Sequence, residues 1–193
     1  MTMLLCLALF ISSCGMKRES RAIEKEDSEQ EFLIKGKEIV DLSQAELLKN
    51  VATAMGADGP AHAVDFCNVH ALSIKDSLSR LYHCEIRRIA IKYRNPEDKP
   101  RPGTEQDVLD SYLDGAQKEE SLQAVVYQFE DRTEYYHPIF ITSGACLLCH
   151  GIPGKEISDQ TMTMISTHYP GDLATGYQMN DFRGAWKITF MTD

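Results

Sequence analysis

Residues 121–142 read SLQAVVYQF (Ser121–Phe129), EDR (Glu130–Arg132) and TEYYHPIFIT (Thr133–Thr142). Two runs rich in β-branched and aromatic residues around a short polar break predict an antiparallel strand pair. Outward from this pair, EIRRIAIKY (Glu85–Tyr93) has strand composition, and AWKITFM (Ala185–Met191) alternates apolar and polar with period two. Upstream the period changes. Leu33, Ile34, Val40, Leu47, Leu48 and Val51 have helical spacing, with Gly56 as a stop. After Gly59-Pro60 a second helical stripe runs Val64, Cys67, Ala71, Ile74, Leu78, Leu81. The loop from Arg94 to Gly103 holds three prolines, and Thr104–Gln117 then reads as a helix with Thr104 as its cap and Asp107 three residues on. The stretch from Pro170 to the last strand is loop-rich. Helices first, then strands around a loop-rich segment, predict an α+β fold.

The chain has 193 residues, enough for one domain with a core, and 43% hydrophobic and 25% charged residues are ordinary globular values. A net charge of −9 excludes nucleic acid as an expected partner, because a phosphate backbone calls for a basic footprint. It is compatible with a basic redox partner.

Three segments are expected. Residues 1–13 contain the apolar run MLLCLALFI (Met3–Ile11), too short to span a bilayer but suited to a signal sequence, though Met1-Thr2-Met3 supplies no basic residue before it. Ile11-Ser12-Ser13-Cys14-Gly15 has the pattern of a bacterial lipobox, so Cys14 is the expected lipidation site and the membrane the expected anchor, on the periplasmic side. Residues 14–31 are almost wholly charged or polar and read as a tether, helical at most in its last turns. Residues 32–193 form the domain.

Cys146-Leu147-Leu148-Cys149-His150 is a C-x-x-C-H, the attachment signal for c-type haem. On one helical turn the two sulfurs project from one side and reach the two vinyl groups of one macrocycle, while His150 turns its imidazole toward the iron. A thioredoxin-type pair lacks the adjoining His, and a structural zinc site needs a second ligand pair that the chain does not offer. Cys67, read from its apolar stripe alone, is a core thiol; Cys84 is another, with a Cys67–Cys84 disulfide as the rival reading. Buried propionates need neutralising by Arg, Tyr or backbone N–H groups.

The run Pro138–Gly154 (PIFITSGACLLCHGIPG), the upstream AVDFC (Ala63–Cys67), Arg94-Asn95-Pro96, YPGDLATGY (Tyr169–Tyr177) and Arg183-Gly184-Ala185 together resemble the bacterial c-type haem domains with a PAS-like fold. Those domains occur alone or as the outer part of sensor kinases and chemoreceptors. The resemblance spans about residues 32 to 193. It implies a PAS-like antiparallel sheet flanked by N-terminal helices, one covalent haem through Cys146 and Cys149, His150 as one axial ligand and Cys67 as the other. Arg94, Tyr177 and Arg183, in the matching motifs, become candidate propionate partners. His70, and Met162, Met164 and Met179 in what reads as loop sequence, are the alternative sixth ligands; His62, lying further off, is another. His83, His137 and His168 receive no role.

The function so implied is a redox or small-ligand sensing module, or a low-potential electron carrier, at the membrane surface. A thiolate ligand favours ferric iron and so a low potential. With no output domain after Asp193, sensing is expected to act through a separate signalling partner. The competing class is a haem enzyme of sulfur-compound or peroxide chemistry, for which no substrate-binding constellation is visible.

Overall fold

The computed structural model describes residues 13–192, and the side chains of residues 26–67 and 76–192. The apolar leader lies outside the described residues, as do the side chains of Cys14 and His70. A long helical segment, α1 (Ser13–Tyr82), is broken at Asp58 (φ −153°, ψ 33°) and Gly59 (φ 77°, ψ −173°). Pro60 follows; it has no N–H to give to the preceding turn and disfavours helical backbone at residue 59. Glycine accepts the left-handed φ that results. The charged stretch expected to be a tether is helical in its backbone throughout and continuous with the rest of α1. Its Glu, Lys, Arg and Ala residues are good helix formers, and Ser28 already touches the sheet, accepting from Gln128 Nε2 at 3.1 Å.

The remaining elements are β1 (Glu85–Ile89), a 3₁₀ turn (Pro96–Asp98), α2 (Thr104–Gln117), β2 (Val125–Gln128), β3 (Arg132–Phe140), α3 (Gly144–His150), α4 (Asp159–His168) and β4 (Phe182–Met191). The four strands form one antiparallel sheet in the order β1-β4-β3-β2. The chain is α+β, as its sequence implies. Several boundaries differ from expectation. The first helix runs through Gly56, its expected stop, to the break at Asp58, since a lone glycine weakens a helix without ending it. The strand expected over 85–93 ends at Ile89, that over 121–129 covers only Val125–Gln128, and β4 starts at Phe182. Gly103, with φ 97°, is the N-cap of α2 and Thr104 is its first helical residue. The segment holding Met162 and Met164 is helix α4, started by Ser158, whose hydroxyl accepts from the Thr161 N–H.

Period-two alternation gives the sheet two apolar faces. One packs Ile86, Tyr135, Trp186, Ile188 and Phe190 against Ile39 and Val40 of α1. Helix and sheet approach so closely there that a Cβ on Gly36 would run into the Tyr135 ring. The other face packs Ile89, Tyr136 and Ala185 against Val108, Leu109 and Tyr112 of α2. Two smaller clusters lie beside the sheet, around α3: Val64, Ile157 and Ile165 on one side, and Ile141, Ala174 and Tyr177 on the other.

Candidate functional site

Helix α3 carries the C-x-x-C-H, with Cys146, Cys149 and His150 spaced at i, i+3 and i+4 along about one turn. Cys146, Cys149 and His150 are all half-buried. Cys146 packs on the Ile141–Ala174–Tyr177 cluster and Cys149 on the Val64–Ile157–Ile165 cluster. Both thiols are free.

His150 is tethered at one nitrogen. Its Nδ1 lies 2.8 Å from the Ala174 carbonyl. A carbonyl only accepts, so Nδ1 carries the proton. Burial, reinforced by the nearby Arg183 and Arg94 guanidinium groups, holds the imidazole pKa well below its ordinary value. A neutral ring has one proton, and Nδ1 has it; Nε2 therefore presents a bare lone pair, the form in which histidine binds a metal. Tyr177 stands edge-on to this ring, centroids 6.3 Å apart.

The loop that carries Ala174 is laid along α3 by its own backbone. Gly176 N–H donates to the Gly151 carbonyl at 2.7 Å, Tyr177 N–H to the His150 carbonyl at 2.9 Å, and Leu173 N–H to the Tyr93 carbonyl at 3.0 Å. Arg94 pins the same loop through Asp172, Nε to Oδ1 at 2.9 Å, and donates from Nη2 to the Cys149 carbonyl at 2.6 Å. Asp159–His168 packs on the second half of α1, where Asp65 Oδ1 lies 2.9 Å from His168 Nε2.

Arg183 is brought to the site by a β-bulge. The β3–β4 register passes from Ile139 opposite Gly184 to Phe140 opposite Phe182, leaving Arg183 without a partner in the ladder. A bulge re-aims the side chain it carries. The Arg183 guanidinium donates to the Lys92 carbonyl at 3.1 Å and lies 5.4 Å from the centre of the Tyr177 ring. It has no carboxylate partner among the described residues, and burial pulls its pKa down.

Cys67 lies on the second half of α1, half-buried. Burial raises its thiol pKa against the opposing pull of Arg88 and Arg94. Cys67, Cys149, His150, Arg88, Arg94 and Arg183 thus share one neighbourhood, drawn from α1, β1, α3, β4 and the loop after β1. Cys84 is elsewhere, buried in the α1–sheet core as a free thiol; no disulfide joins it to Cys67. Met162 and Met164 pack on the same Val64–Ile157–Ile165 cluster as Cys149, whereas Met179 is exposed. His62 is half-buried, His83 sits in the turn after α1, and His137 shares a hydrogen bond with Tyr135 at 3.0 Å. Among the described residues no three His, Cys, Asp or Glu side chains are grouped to hold a bare metal ion.

Arg88 was not visible as a site residue in the sequence. The signal was there: in EIRRIAIKY it falls on the same strand face as Ile86, so a cation sits at an apolar-face position. It lies over the Trp186 ring at 5.8 Å, with its nearest carboxylate, Asp98, at 3.9 Å.

The model of the Tll0287-like family matches residues 17–190. The chain belongs to the Tll0287-like family. Among solved structures, the crystal structure of the cyanobacterial heme-protein Tll0287 matches with a TM-score of 0.63 and 22% sequence identity, over 84% of this chain and 96% of that chain. At that identity the likeness shows a shared fold. No curated protein matches the chain. The Tll0287-like match takes in every site residue described above, from Cys67 to Arg183.

Proposed function

We propose that this chain is a monohaem c-type protein, bound through Cys146 and Cys149 and acting as a redox or small-ligand sensing module or a low-potential electron carrier at a membrane surface. The observation that carries the reading is geometric: the Ala174 carbonyl engages His150 Nδ1 at 2.8 Å, which leaves Nε2 as the nitrogen to be presented, on the same short helix as two free thiols. That is the donor set a c-type haem requires, and the cyanobacterial relative Tll0287 is described as a heme-protein. A PAS-like ancestry for the sheet is part of the same proposal.

Each residue then has a part. Cys146 and Cys149 would hold the haem through thioether bonds, their S–H adding across its vinyl groups with no oxidant consumed. His150 Nε2 and the Cys67 sulfur would be its iron ligands. Arg183 and Tyr177, together with Arg88, would be the groups suited to neutralising propionates: Arg183 is a half-buried cation that donates to a backbone carbonyl and has no carboxylate partner among the described residues. The bound haem would supply one-electron chemistry or a small-ligand site. Lipid on Cys14 would hold the protein at the periplasmic face, and no helix among the described residues is long and apolar enough to cross a membrane.

The test is expression of the full chain with the c-type maturation machinery, followed by denaturing electrophoresis with haem staining. Colour that stays with the wild-type polypeptide, and is lost in the Cys146→Ala/Cys149→Ala variant, is expected. Haem that extracts into acidified solvent from the wild type, or none at all, would overturn the reading.

A further inference from the structure

Arg94 ties together groups that are far apart in the chain. Its Nε donates to Asp172 Oδ1 at 2.9 Å and its Nη2 to the Cys149 carbonyl at 2.6 Å, with longer Nη2 contacts to the Ala174 carbonyl at 3.3 Å and Asp172 Oδ2 at 3.5 Å. Asp172 Oδ1 in turn accepts from the Ala174 N–H at 3.1 Å. Ala174 is thereby gripped on both sides, its N–H by the carboxylate and its C=O by the guanidinium. That same C=O takes the Nδ1 proton of His150 at 2.8 Å.

The loop has no regular secondary structure between Tyr169 and Asp181, so no strand ladder sets the direction of the Ala174 carbonyl. Backbone bonds from Leu173, Gly176 and Tyr177 hold the loop on either side; at Ala174 itself the N–H and the C=O are engaged by the Arg94–Asp172 pair. With side chains 13% and 7% exposed, the pair makes its charge-assisted bonds largely out of water, where they are strong. The planar guanidinium donates in several fixed directions at once; an ammonium in its place cannot.

We propose that Arg94 is the positioning residue of His150: through Asp172 and Ala174 it fixes the imidazole in its Nδ1–H tautomer and ring plane, so that Nε2 is the nitrogen presented. Which ring nitrogen holds the proton is decided by the partner of the other. Outer partners of this kind set the basicity and orientation of a ligating histidine. That Nε2 then binds iron rests on the haem reading above; the selection of the tautomer does not.

The experiment compares the full chain with Arg94→Lys, Asp172→Asn and, as a surface control, Arg101→Gln. The readout that needs no haem is the solvent exchange of the His150 Nδ1 proton and of the Gly176 and Tyr177 amides, followed by NMR. Where haem is present, the ferric electron paramagnetic resonance spectrum and the reduction potential are read as well. Exchange about tenfold faster or more is expected in both site variants, with a changed ferric spectrum and potential, and wild-type behaviour in Arg101→Gln. Should Arg94→Lys fail to fold, Asp172→Asn, which keeps the shape and removes the charge, carries the comparison alone. Variants that melt earlier but exchange Nδ1–H at the wild-type rate would reduce Arg94 to a structural clamp and overturn the proposal. A wild type without covalent haem would sink the haem reading instead, and the exchange rates alone would then judge Arg94.

Discussion

Lys187 reaches Glu105 at 2.9 Å, and both side chains are only 4% exposed. The pair joins β4, second in the sheet, to α2 through the middle of the second core. It is extended on both sides. Glu105 accepts from Arg87 at 2.7 Å; Lys187 also reaches Glu134 at 2.8 Å, and Glu134 accepts from Arg132 at 2.8 Å and Tyr136 at 2.6 Å.

Removing one member strands the others unequally. Glu105→Ala leaves Arg87 buried with carbonyl partners alone and is expected to cost about 3–5 kcal/mol. Lys187→Met leaves both carboxylates with an arginine and is expected to cost less, about 1–3 kcal/mol. Urea unfolding midpoints of the two variants check the order; equal losses would count against this division of partners.

Gly184 stands at the bulge with φ 153°, and a Cβ there would collide with the Ile89 carbonyl oxygen of the neighbouring strand. Gly184→Ala is therefore expected to destabilise the domain by about 1–3 kcal/mol and to disturb the aim of Arg183. Thermal unfolding gives the first effect. Slower or incomplete haem attachment during maturation would give the second.

The two internal thiols have different surroundings, and their variants separate them. Cys67→Ala is expected to abolish a low-spin thiolate signal in the ferric protein. Cys84→Ala removes a thiol from the α1–sheet core, and is expected to lower stability by about 1 kcal/mol with the ferric spectrum unchanged. A spectrum indifferent to Cys67→Ala would return that residue to a packing role and direct attention to His70 and to Met162 and Met164.

His137 is pushed below its ordinary pKa by burial, with Asp41 pulling the other way and Lys37 assisting. The unfolded chain therefore binds this proton more readily than the folded one, and stability falls as pH drops. The contribution is complete above the unfolded histidine value, about 6.5, and is lost on acidification below it. Denaturant midpoints between pH 7 and pH 5 are expected to fall less steeply in His137→Gln than in the parent. Glu134 adds to the acid sensitivity at lower pH. Burial raises its pKa, but hydrogen bonds from Arg132, Lys187 and Tyr136 outweigh that and hold it below the usual carboxylate range.

Local signals in this chain were strong where a segment's own residues decide its structure. A break before the second helical stripe was legible, but it falls at Asp58 and Gly59 and not at Gly56, because Pro60 disfavours helical backbone at the residue before it. The two runs at 121–142 pair as expected because alternation and a polar break are properties of adjacent residues. Helix α4 was illegible because it is short and its apolar residues are only Met162, Met164 and Ile165; short helices depend on what they pack against. The start of α2 shifted by one residue, since Gly103 can adopt the φ that the turn requires.

By itself the sequence determined the α+β class, the C-x-x-C-H on one helical turn and the candidates Cys67, Arg94, Tyr177 and Arg183. These are matters of spacing, composition and resemblance along the chain. Only the tertiary structure decided that Ala174 takes the His150 proton, that Arg94 grips Asp172, that Arg183 is turned toward Tyr177 by a bulge, and that Arg88 joins them. Such relations depend on distances between segments many tens of residues apart, and on burial that turns a solvated charge into a group in need of a partner. Neither is a property of any stretch of sequence alone.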